Sequence, residues 1–238
     1  DPRIAAGRSL YDQADFDRAE KHFSALRDEA IATGDGLLEA RAEKWLGNIQ
    51  LAYAQAGAAL AHYRRSLALL ESGINRGDSL RDPVDRRWSD ERQNVVSNTG
   101  AVYKSMRRFD EAEELFRGVF AYDSAHGDRY HAAISLYNLG DVYHQHAVIL
   151  LSSGEKAYDT TAGHLRKLQA RECFLRSLEQ YPTADAWLNL GNNYTLDDSL
   201  EAAIGCYRRA EEIYAREGFR VNRAFALGNI GVLARKMN

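Results

Sequence analysis

The chain has 238 residues, of which 45% are hydrophobic and 27% are charged, as is usual for a globular protein. Its 31 basic and 34 acidic residues give a formal net charge of -3, so nucleic acid and anionic membranes are not expected partners. The longest purely aliphatic stretch, residues 147–151, is far shorter than the roughly 20 residues of a membrane-spanning helix. No signal peptide opens the chain, and we expect a cytoplasmic location.

Only two cysteines occur, Cys173 and Cys206, so a disulfide framework does not stabilise this chain. We interpret both as small buried apolar residues. A disulfide or a redox switch is the alternative.

Six glycines recur along the chain in similar helical surroundings, separated by 40, 53, 40, 51 and 40 residues. These marker glycines are Gly7, Gly47, Gly100, Gly140, Gly191 and Gly231. A unit of about 34 to 45 residues cannot bury its apolar face alone and must stack on its neighbours. The period therefore predicts one elongated helical-repeat array over residues 1–238.

The clearest repeat has the pattern W-x2-L-G-x2-Y followed by A-x3-Y. Its residues are Trp187, Leu190, Gly191, Tyr194, Ala203 and Tyr207. This pattern resembles the tetratricopeptide repeat (TPR) family. The resemblance implies an all-α, right-handed superhelical solenoid of antiparallel helix pairs, with about eleven helices. Repeats as long as 40 residues resemble those of bacterial regulatory TPR proteins and kinesin light chains.

In four repeats an alanine follows the marker glycine by 12 residues, at Ala19, Ala59, Ala112 and Ala203. We call the glycine-bearing helix of each pair the A helix and the alanine-bearing helix the B helix. An aromatic residue follows each alanine by four residues, at Phe23, Tyr63, Phe116 and Tyr207. We expect these rings to be core residues that fill the space between helix pairs.

The A helices are expected near residues 1–13, 38–54, 88–105, 129–152, 184–195 and 221–237. A loop is expected at 72–87, where Asp82 precedes Pro83. In repeat four the best alanine, Ala170, lies 30 residues after Gly140. We therefore expect an insertion at 144–163, made of a lengthened A helix and a protruding turn.

The sixth A helix has no B helix after it in the sequence. It would expose Leu227, Ile230 and Leu233 on the side that a B helix covers. We expect that the chain is an excerpt of a longer protein. Contact with another subunit, or a homodimer through this open end, are the alternatives.

Asparagine stands two residues before the marker glycine in four of six repeats, at Asn98, Asn138, Asn189 and Asn229. A carboxamide both donates and accepts hydrogen bonds, so such a row can hold the backbone of an extended peptide. The alternative is that these residues bond only within the array.

Further candidates flank this row on the predicted concave side, which the A helices line in TPR arrays. They are Lys44, Asn48, Lys104, Tyr137, Asp141, Asn192 and Arg235. Three of these residues, Lys44, Lys104 and Arg235, are cationic and are expected to meet carboxylates of a partner.

TPR domains that bind the carboxyl termini of heat-shock chaperones hold the terminal carboxylate with a lysine and asparagines in the first two repeats. Lys44 and Asn48 match the first pair, and Asn98 matches the second role. Ile134 and Asn138 stand where basic residues belong in the third. That departure argues against a complete carboxylate clamp.

No phosphate-binding loop, nucleophile elbow, H-E-x-x-H or C-x-x-C motif occurs in the sequence. His144 and His146 are about 200° apart around a helix axis, so they cannot face one metal ion. We therefore expect no enzyme, no cofactor and no metal.

Two functions follow from these patterns. The first is a protein-interaction module that binds a peptide or protein segment in the concave groove. The second is a sensory, regulatory or dimerisation segment of a larger bacterial signalling protein. In that case a diguanylate cyclase or transcriptional-regulator domain would lie beyond residue 238.

Overall fold

A computed structural model of the chain describes residues 1–75, 86–152 and 160–237. These residues form eleven α-helices and no β-strand. The helices are α1 (Pro2–Asp12), α2 (Phe16–Thr33), α3 (Gly36–Ala52), α4 (Ala56–Asn75), α5 (Arg86–Ser105), α6 (Phe109–Ala125), α7 (Arg129–Ser152), α8 (Thr160–Gln180), α9 (Ala184–Thr195), α10 (Leu200–Glu217) and α11 (Arg220–Met237). The predicted all-α helical-repeat fold is confirmed.

The helices group into two compact units, residues 1–108 and 109–238, which we call unit 1 and unit 2. Within each unit every helix packs on the next one in sequence. Successive A helices also contact each other, α1 with α3 and α3 with α5 in unit 1, and α7 with α9 in unit 2. Each unit is thus a helical-repeat stack, and the single array over 1–238 stays a prediction.

The marker glycines allow close contact between the two helices of a pair. A Cβ atom at Gly191 would lie 2.5 Å from the ring of Tyr207, and one at Gly7 would lie 2.5 Å from Phe23. At Gly47 a Cβ would lie 2.7 Å from Cδ1 of Tyr63. Real Cβ atoms do not come so close to a ring, so only glycine fits.

The same rings also pack against the following A helix. Phe23 shares a core cluster with Leu46 and Ile49 of α3, and Tyr63 shares one with Val95 of α5. Each ring therefore joins its own pair to the next, as the sequence predicts.

The turns from A to B helix explain the constant 12-residue spacing. In each turn the seventh residue after the marker glycine has a positive φ: Ala14, Ala54 and Arg107 at 59°, and Asp198 at 53°. A repeated left-handed residue gives every turn the same backbone and so the same length. Three of these four positions carry a residue other than glycine or aspartate, at a conformational cost.

The turns from B helix to the next A helix use glycine and aspartate. Gly34, Gly127 and Gly218 have φ values of 72°, 70° and 80°, which suit the left-handed end of a helix. Asp35 accepts a hydrogen bond from the Leu38 amide at 3.0 Å and so caps α3.

Repeat four lacks the usual turn. Seven residues after Gly140 comes Ala147, which is fully buried within the continuing helix α7. Helix α8 begins only at Thr160, and its Phe174 ring lies 2.8 Å from the Cβ position of Gly140. The close glycine–ring contact is therefore kept despite the longer connection. Residues 153–159, within the expected insertion 144–163, lie outside the described residues.

Helices extend into both ends of the loop that was expected at 72–87. Helix α4 extends to Asn75 and α5 begins at Arg86, while residues 76–85 lie outside the described residues. Gly73 of α4 lies directly against the ring of Trp88 of α5. This close glycine–ring contact lies outside the repeat pattern and was not expected from the sequence.

The last helix differs from the expectation for its apolar residues. Leu233 is buried and Ile230 half-buried, and both pack with Ala203 and Tyr207. The expectation that these two residues are exposed was wrong, because they complete the core beneath α10. Leu227 is exposed, as expected, and the other exposed large apolar residues of this region are Phe219, Val221, Phe225, Val232 and Met237.

Both cysteines are buried free thiols, as expected. Burial raises the pKa of the Cys173 thiol to about 12 and that of Cys206 to about 11. Both thiols are therefore protonated at neutral pH and are poor nucleophiles.

Candidate functional site

The A helices carry a hydrogen-bonded framework centred on the asparagine that follows the marker glycine. In unit 1 the Tyr63 hydroxyl donates to Oδ1 of Asn48 at 2.7 Å. In unit 2 the Tyr207 hydroxyl donates to Oδ1 of Asn192 at 2.8 Å. The ring that covers the glycine thus also fixes the neighbouring carboxamide.

This pairing follows a sequence rule that the sequence reasoning missed. Both repeats with tyrosine at the ring position have asparagine after the marker glycine. The three repeats with phenylalanine there have Arg8, Ala101 and Asp141 instead. A buried tyrosine hydroxyl needs a hydrogen-bond partner whereas phenylalanine does not. Comparing the ring residue with the residue after the marker glycine in each repeat would have identified the pairs.

In unit 1 the framework extends from α3 to α5. The Asn98 carboxamide donates to Oδ1 of Asn48 at 2.9 Å, so two predicted site residues contact each other. One to two turns toward the N-termini of these helices, Arg41 Nε donates to Glu91 Oε2 at 2.9 Å and Lys44 bonds Glu91 Oε1. Lys44 thus meets a carboxylate of its own chain.

In unit 2 the framework extends from α9 to α7. Asn192 Nδ2 donates to Asn189 Oδ1 at 3.1 Å, and Asn189 Nδ2 donates to the Tyr137 hydroxyl at 3.3 Å. Burial, with smaller contributions from Asp141 and Asp185, raises the pKa of Tyr137. The structure therefore brings Tyr137, Asn189 and Asn192 together.

The other two residues of the asparagine row lie in unit 2. Asn138 on α7 and Asn229 on α11 are both half-buried. Within the described residues neither side chain has a hydrogen-bond partner. Their donors and acceptors are therefore not used by the described part of the array.

The remaining predicted residues occupy varied surroundings. Asp141 accepts a hydrogen bond from Gln145 at 3.0 Å on the same helix. Lys104 is half-buried in the last turn of α5. Arg235 is exposed in the last turn of α11. The predicted binding roles of these three residues stay predictions.

His144 and His146 of α7 are packing residues. His146 stacks on Phe109 with ring centroids 4.7 Å apart, and Nδ1 of His144 is buried without a hydrogen-bond partner among the described residues. Burial lowers the pKa of both, so both are neutral at pH 7. In residues 1–75, 86–152 and 160–237 no three His, Cys, Asp or Glu side chains group as metal ligands.

Paired helices with a ring seated on a glycine, repeated along each unit, define a helical-repeat protein. The model of the tetratricopeptide repeat matches residues 164–217, which include most of α8 and all of α9 and α10. This match identifies one stretch of tetratricopeptide repeat, residues 164–217, within the helical-repeat fold. Proteins of this fold are typically non-enzymatic scaffolds for protein interaction. No curated protein matches the chain.

Solved structures with the same fold cover most of the chain. BtubC (BKLC) from P. vanneervenii is 19% identical, with a TM-score of 0.63 over 92% of this chain and 83% of that one. PilF of Pseudomonas aeruginosa is 16% identical, with a TM-score of 0.58 over 95% and 87%. A putative kinesin light chain of Podosopora anserina with nearly identical TPR-like repeats is 13% identical, with a TM-score of 0.60 over 91% and 95%. At these identities the likeness shows the fold alone.

Within the described parts of the chain, no helix has the length and apolar character needed to cross a membrane.

Proposed function

We propose that the chain is a protein-binding module whose A helices hold an extended segment of a partner protein. The fold is typical of scaffolds for protein interaction, and in unit 1 the carboxamides of Asn48 on α3 and Asn98 on α5 lie side by side. In unit 2, Asn138 and Asn189 belong to the contacting helices α7 and α9. An extended peptide has one donor and one acceptor per residue on its backbone. Carboxamides can pair with both, whatever the side chains of the peptide are.

The observation that carries this proposal is the unused hydrogen-bonding capacity of the Asn138 side chain. Its side chain is half-buried on α7, beside Tyr137 and Leu139, and has no hydrogen-bond partner among the described residues. A polar group that is partly removed from water gains from a partner that completes its hydrogen bonds. The adjacent helix α9 offers Asn189, which already contacts Tyr137.

For the test, peptides that bind the wild-type protein are first selected from a random display library. The best peptide is labelled, and its Kd is measured by fluorescence anisotropy for wild type and for the double variant Asn138→Ala/Asn189→Ala. Two lost hydrogen bonds at about 1 kcal/mol each predict that binding weakens about 10-fold or more. Helicity measured by circular dichroism should stay unchanged.

The matched control is Gln13→Ala, which removes an exposed carboxamide at the end of α1. It should bind the peptide as wild type does. Equal affinity of the double variant and wild type would eliminate the carboxamide row as a binding surface. Loss of helicity in the double variant would instead assign these residues to the fold.

A second candidate function is self-association through α11, which corresponds to the dimerisation alternative. The observation that favours it is the exposure of Val221, Phe225 and Val232, at 68%, 66% and 47%. Neighbouring exposed apolar side chains are a common feature of interfaces between copies. Sedimentation should then show a dimer for wild type and a monomer for Phe225→Glu. A monomeric wild type at micromolar concentration would remove this candidate.

A regulatory role with an effector domain beyond residue 238 stays a prediction.

A further inference from the structure

One carboxylate in unit 1 is placed where a bound ligand would otherwise be expected. Glu91 of α5 has a side chain only 9% exposed, and both of its oxygens are occupied by cations of α3. Arg41 reaches one oxygen at 2.9 Å, and Lys44 bonds the other. The three side chains together carry a net charge of +1.

The geometry shows that this cluster belongs to the A-helix surface. Arg41, Lys44 and Asn48 follow each other at i, i+3 and i+7 and therefore share one face of α3. Glu91 and Asn98 are seven residues apart and share one face of α5. The two faces meet through the ion pairs at one level and the Asn98–Asn48 hydrogen bond at the next.

A carboxylate that belongs to the chain has a large advantage over one from solution. Its effective concentration at the two cations is at least millimolar, because the helices hold it there. A free peptide carboxylate at micromolar concentration cannot displace it. Without Glu91, two cations with side chains 22% and 13% exposed would lack their partner. Partly buried cations of this kind attract an anion.

We propose that Glu91 is a specificity-determining residue that closes a latent carboxylate-binding site formed by Arg41 and Lys44. The inference deepens the proposed function, since it states which partner groups the A-helix surface of unit 1 rejects. Terminal and side-chain carboxylates are rejected because the chain fills the site itself. A partner segment meets neutral carboxamides there, at Asn48 and Asn98.

The test is chemical rescue of Glu91→Ala by sodium acetate, read as thermal stability without any partner. The melting temperature is measured from 0 to 100 mM acetate, with sodium chloride added to keep the ionic strength constant. Acetate should raise the Tm of Glu91→Ala by about 3 to 5 °C, with saturation. Wild type should not respond, because Glu91 occupies the site.

The matched control is Lys44→Met/Glu91→Ala, which lacks one of the two cations and should lose most of the acetate response. An equal response of this double variant, or of wild type, would overturn the proposal. So would the absence of any acetate effect on Glu91→Ala. If Glu91→Ala does not fold, Glu91→Ser, which also leaves the site open, should respond in the same direction. Failure of the peptide experiment on Asn138 and Asn189 would leave this result unaffected, so the two proposals fail separately.

Discussion

The A-helix surfaces of units 1 and 2 share one framework and differ in charge. In both, a tyrosine seated on a marker glycine binds the following asparagine, Asn48 in unit 1 and Asn192 in unit 2. Six residues before the glycine, however, unit 1 has Arg41 and unit 2 has Asp185. Three residues before it, Lys44 in unit 1 corresponds to a leucine in repeat five.

The difference separates two kinds of position. Glycine, ring and bonded asparagine recur because packing requires them in every pair of that type. The charged positions vary because they are not part of the glycine–ring contact, and each is partnered differently. In unit 1 they form the Arg41–Lys44–Glu91 cluster, and in unit 2 Asp185 accepts a hydrogen bond from Tyr214. We therefore assign the proposed selectivity for a partner to these variable positions.

The strongest test of the shared framework replaces the marker glycines. A Cβ at Gly47 or Gly191 collides with a buried tyrosine ring, so each change to alanine should lower the free energy of unfolding by about 1 to 3 kcal/mol. At Gly231 no atom of the described residues beyond its own stretch of helix lies within 4 Å of the Cβ position. There alanine should instead stabilise by about 0.5 to 1 kcal/mol, because it is the better helix former.

Urea unfolding followed by circular dichroism measures all three variants. The opposite signs at Gly191 and Gly231 are the informative result, since both changes are chemically identical. Destabilisation at Gly231 as large as at Gly191 would show that ring seating is not the reason for the glycines.

The second test raises the pH. Burial raises the pKa of Tyr207 from 10.0 to about 12. Between these values the unfolded tyrosine loses its proton while the folded one keeps it. Its contribution to stability is fully present below pH 10 and is lost as the pH rises through 12, at about 1.4 kcal/mol per pH unit.

Unfolding free energies at pH 9, 10 and 11 should therefore fall less steeply for Tyr207→Phe than for wild type. The control is Tyr181→Phe, which removes the hydroxyl of a tyrosine that is 48% exposed. The same slope for Tyr207→Phe and wild type would show that Tyr207 ionises equally in both states.

The third test asks whether the tyrosine–asparagine bond is equally strong in the two units. Tyr63→Phe and Tyr207→Phe should each cost about 1 kcal/mol at pH 7, because each removes a hydrogen bond to a half-buried carboxamide. Double-mutant cycles with Asn48→Ala and Asn192→Ala isolate the coupling energy. Coupling near zero in one unit would show that its carboxamide is free for a partner.

The smallest effect is expected at the turns. Ala54 has a φ of 59°, which costs an alanine roughly 1 to 2 kcal/mol but costs glycine little. Glycine also has the greater backbone entropy in the unfolded chain, which offsets part of this gain. Ala54→Gly should therefore raise the free energy of unfolding by about 0.5 to 1 kcal/mol. Thermal unfolding measures it, with Ala56→Gly in the first turn of α4 as the control that should destabilise. A lower Tm for Ala54→Gly would refute the turn account.

Much of the fold was predictable because packing repeats. The 12-residue glycine–alanine spacing reflects one turn backbone, and the ring that follows reflects one close contact, so both appear as sequence periodicity. The contact of Gly73 with Trp88 was not predictable, because it occurs once and has no counterpart at repeat spacing. The burial of Leu233 was also missed, since a period alone does not tell which side of α11 packs on α10.

The candidate site was predictable only in outline. Repeat position identified Asn48 and Asn98, but the bond between them depends on how two helices are set side by side. Lys44 was expected to meet a carboxylate of a partner, whereas the structure pairs it with Glu91, 47 residues further along the chain. Such a pair leaves no periodic signal, because Glu91 has no equivalent in the other repeats.

The tyrosine–asparagine pair also constrains how such a gene can be shuffled. Its two members are 15 residues apart and stand on opposite sides of the A-to-B turn. Unequal crossing-over within that interval would pair an asparagine with phenylalanine, or a tyrosine with arginine or aspartate. Either combination leaves a polar group without its hydrogen-bond partner. Crossing-over at Gly34, Gly127 or Gly218 moves both members together. Tandem duplication and loss should therefore have viable breakpoints between repeats rather than within them.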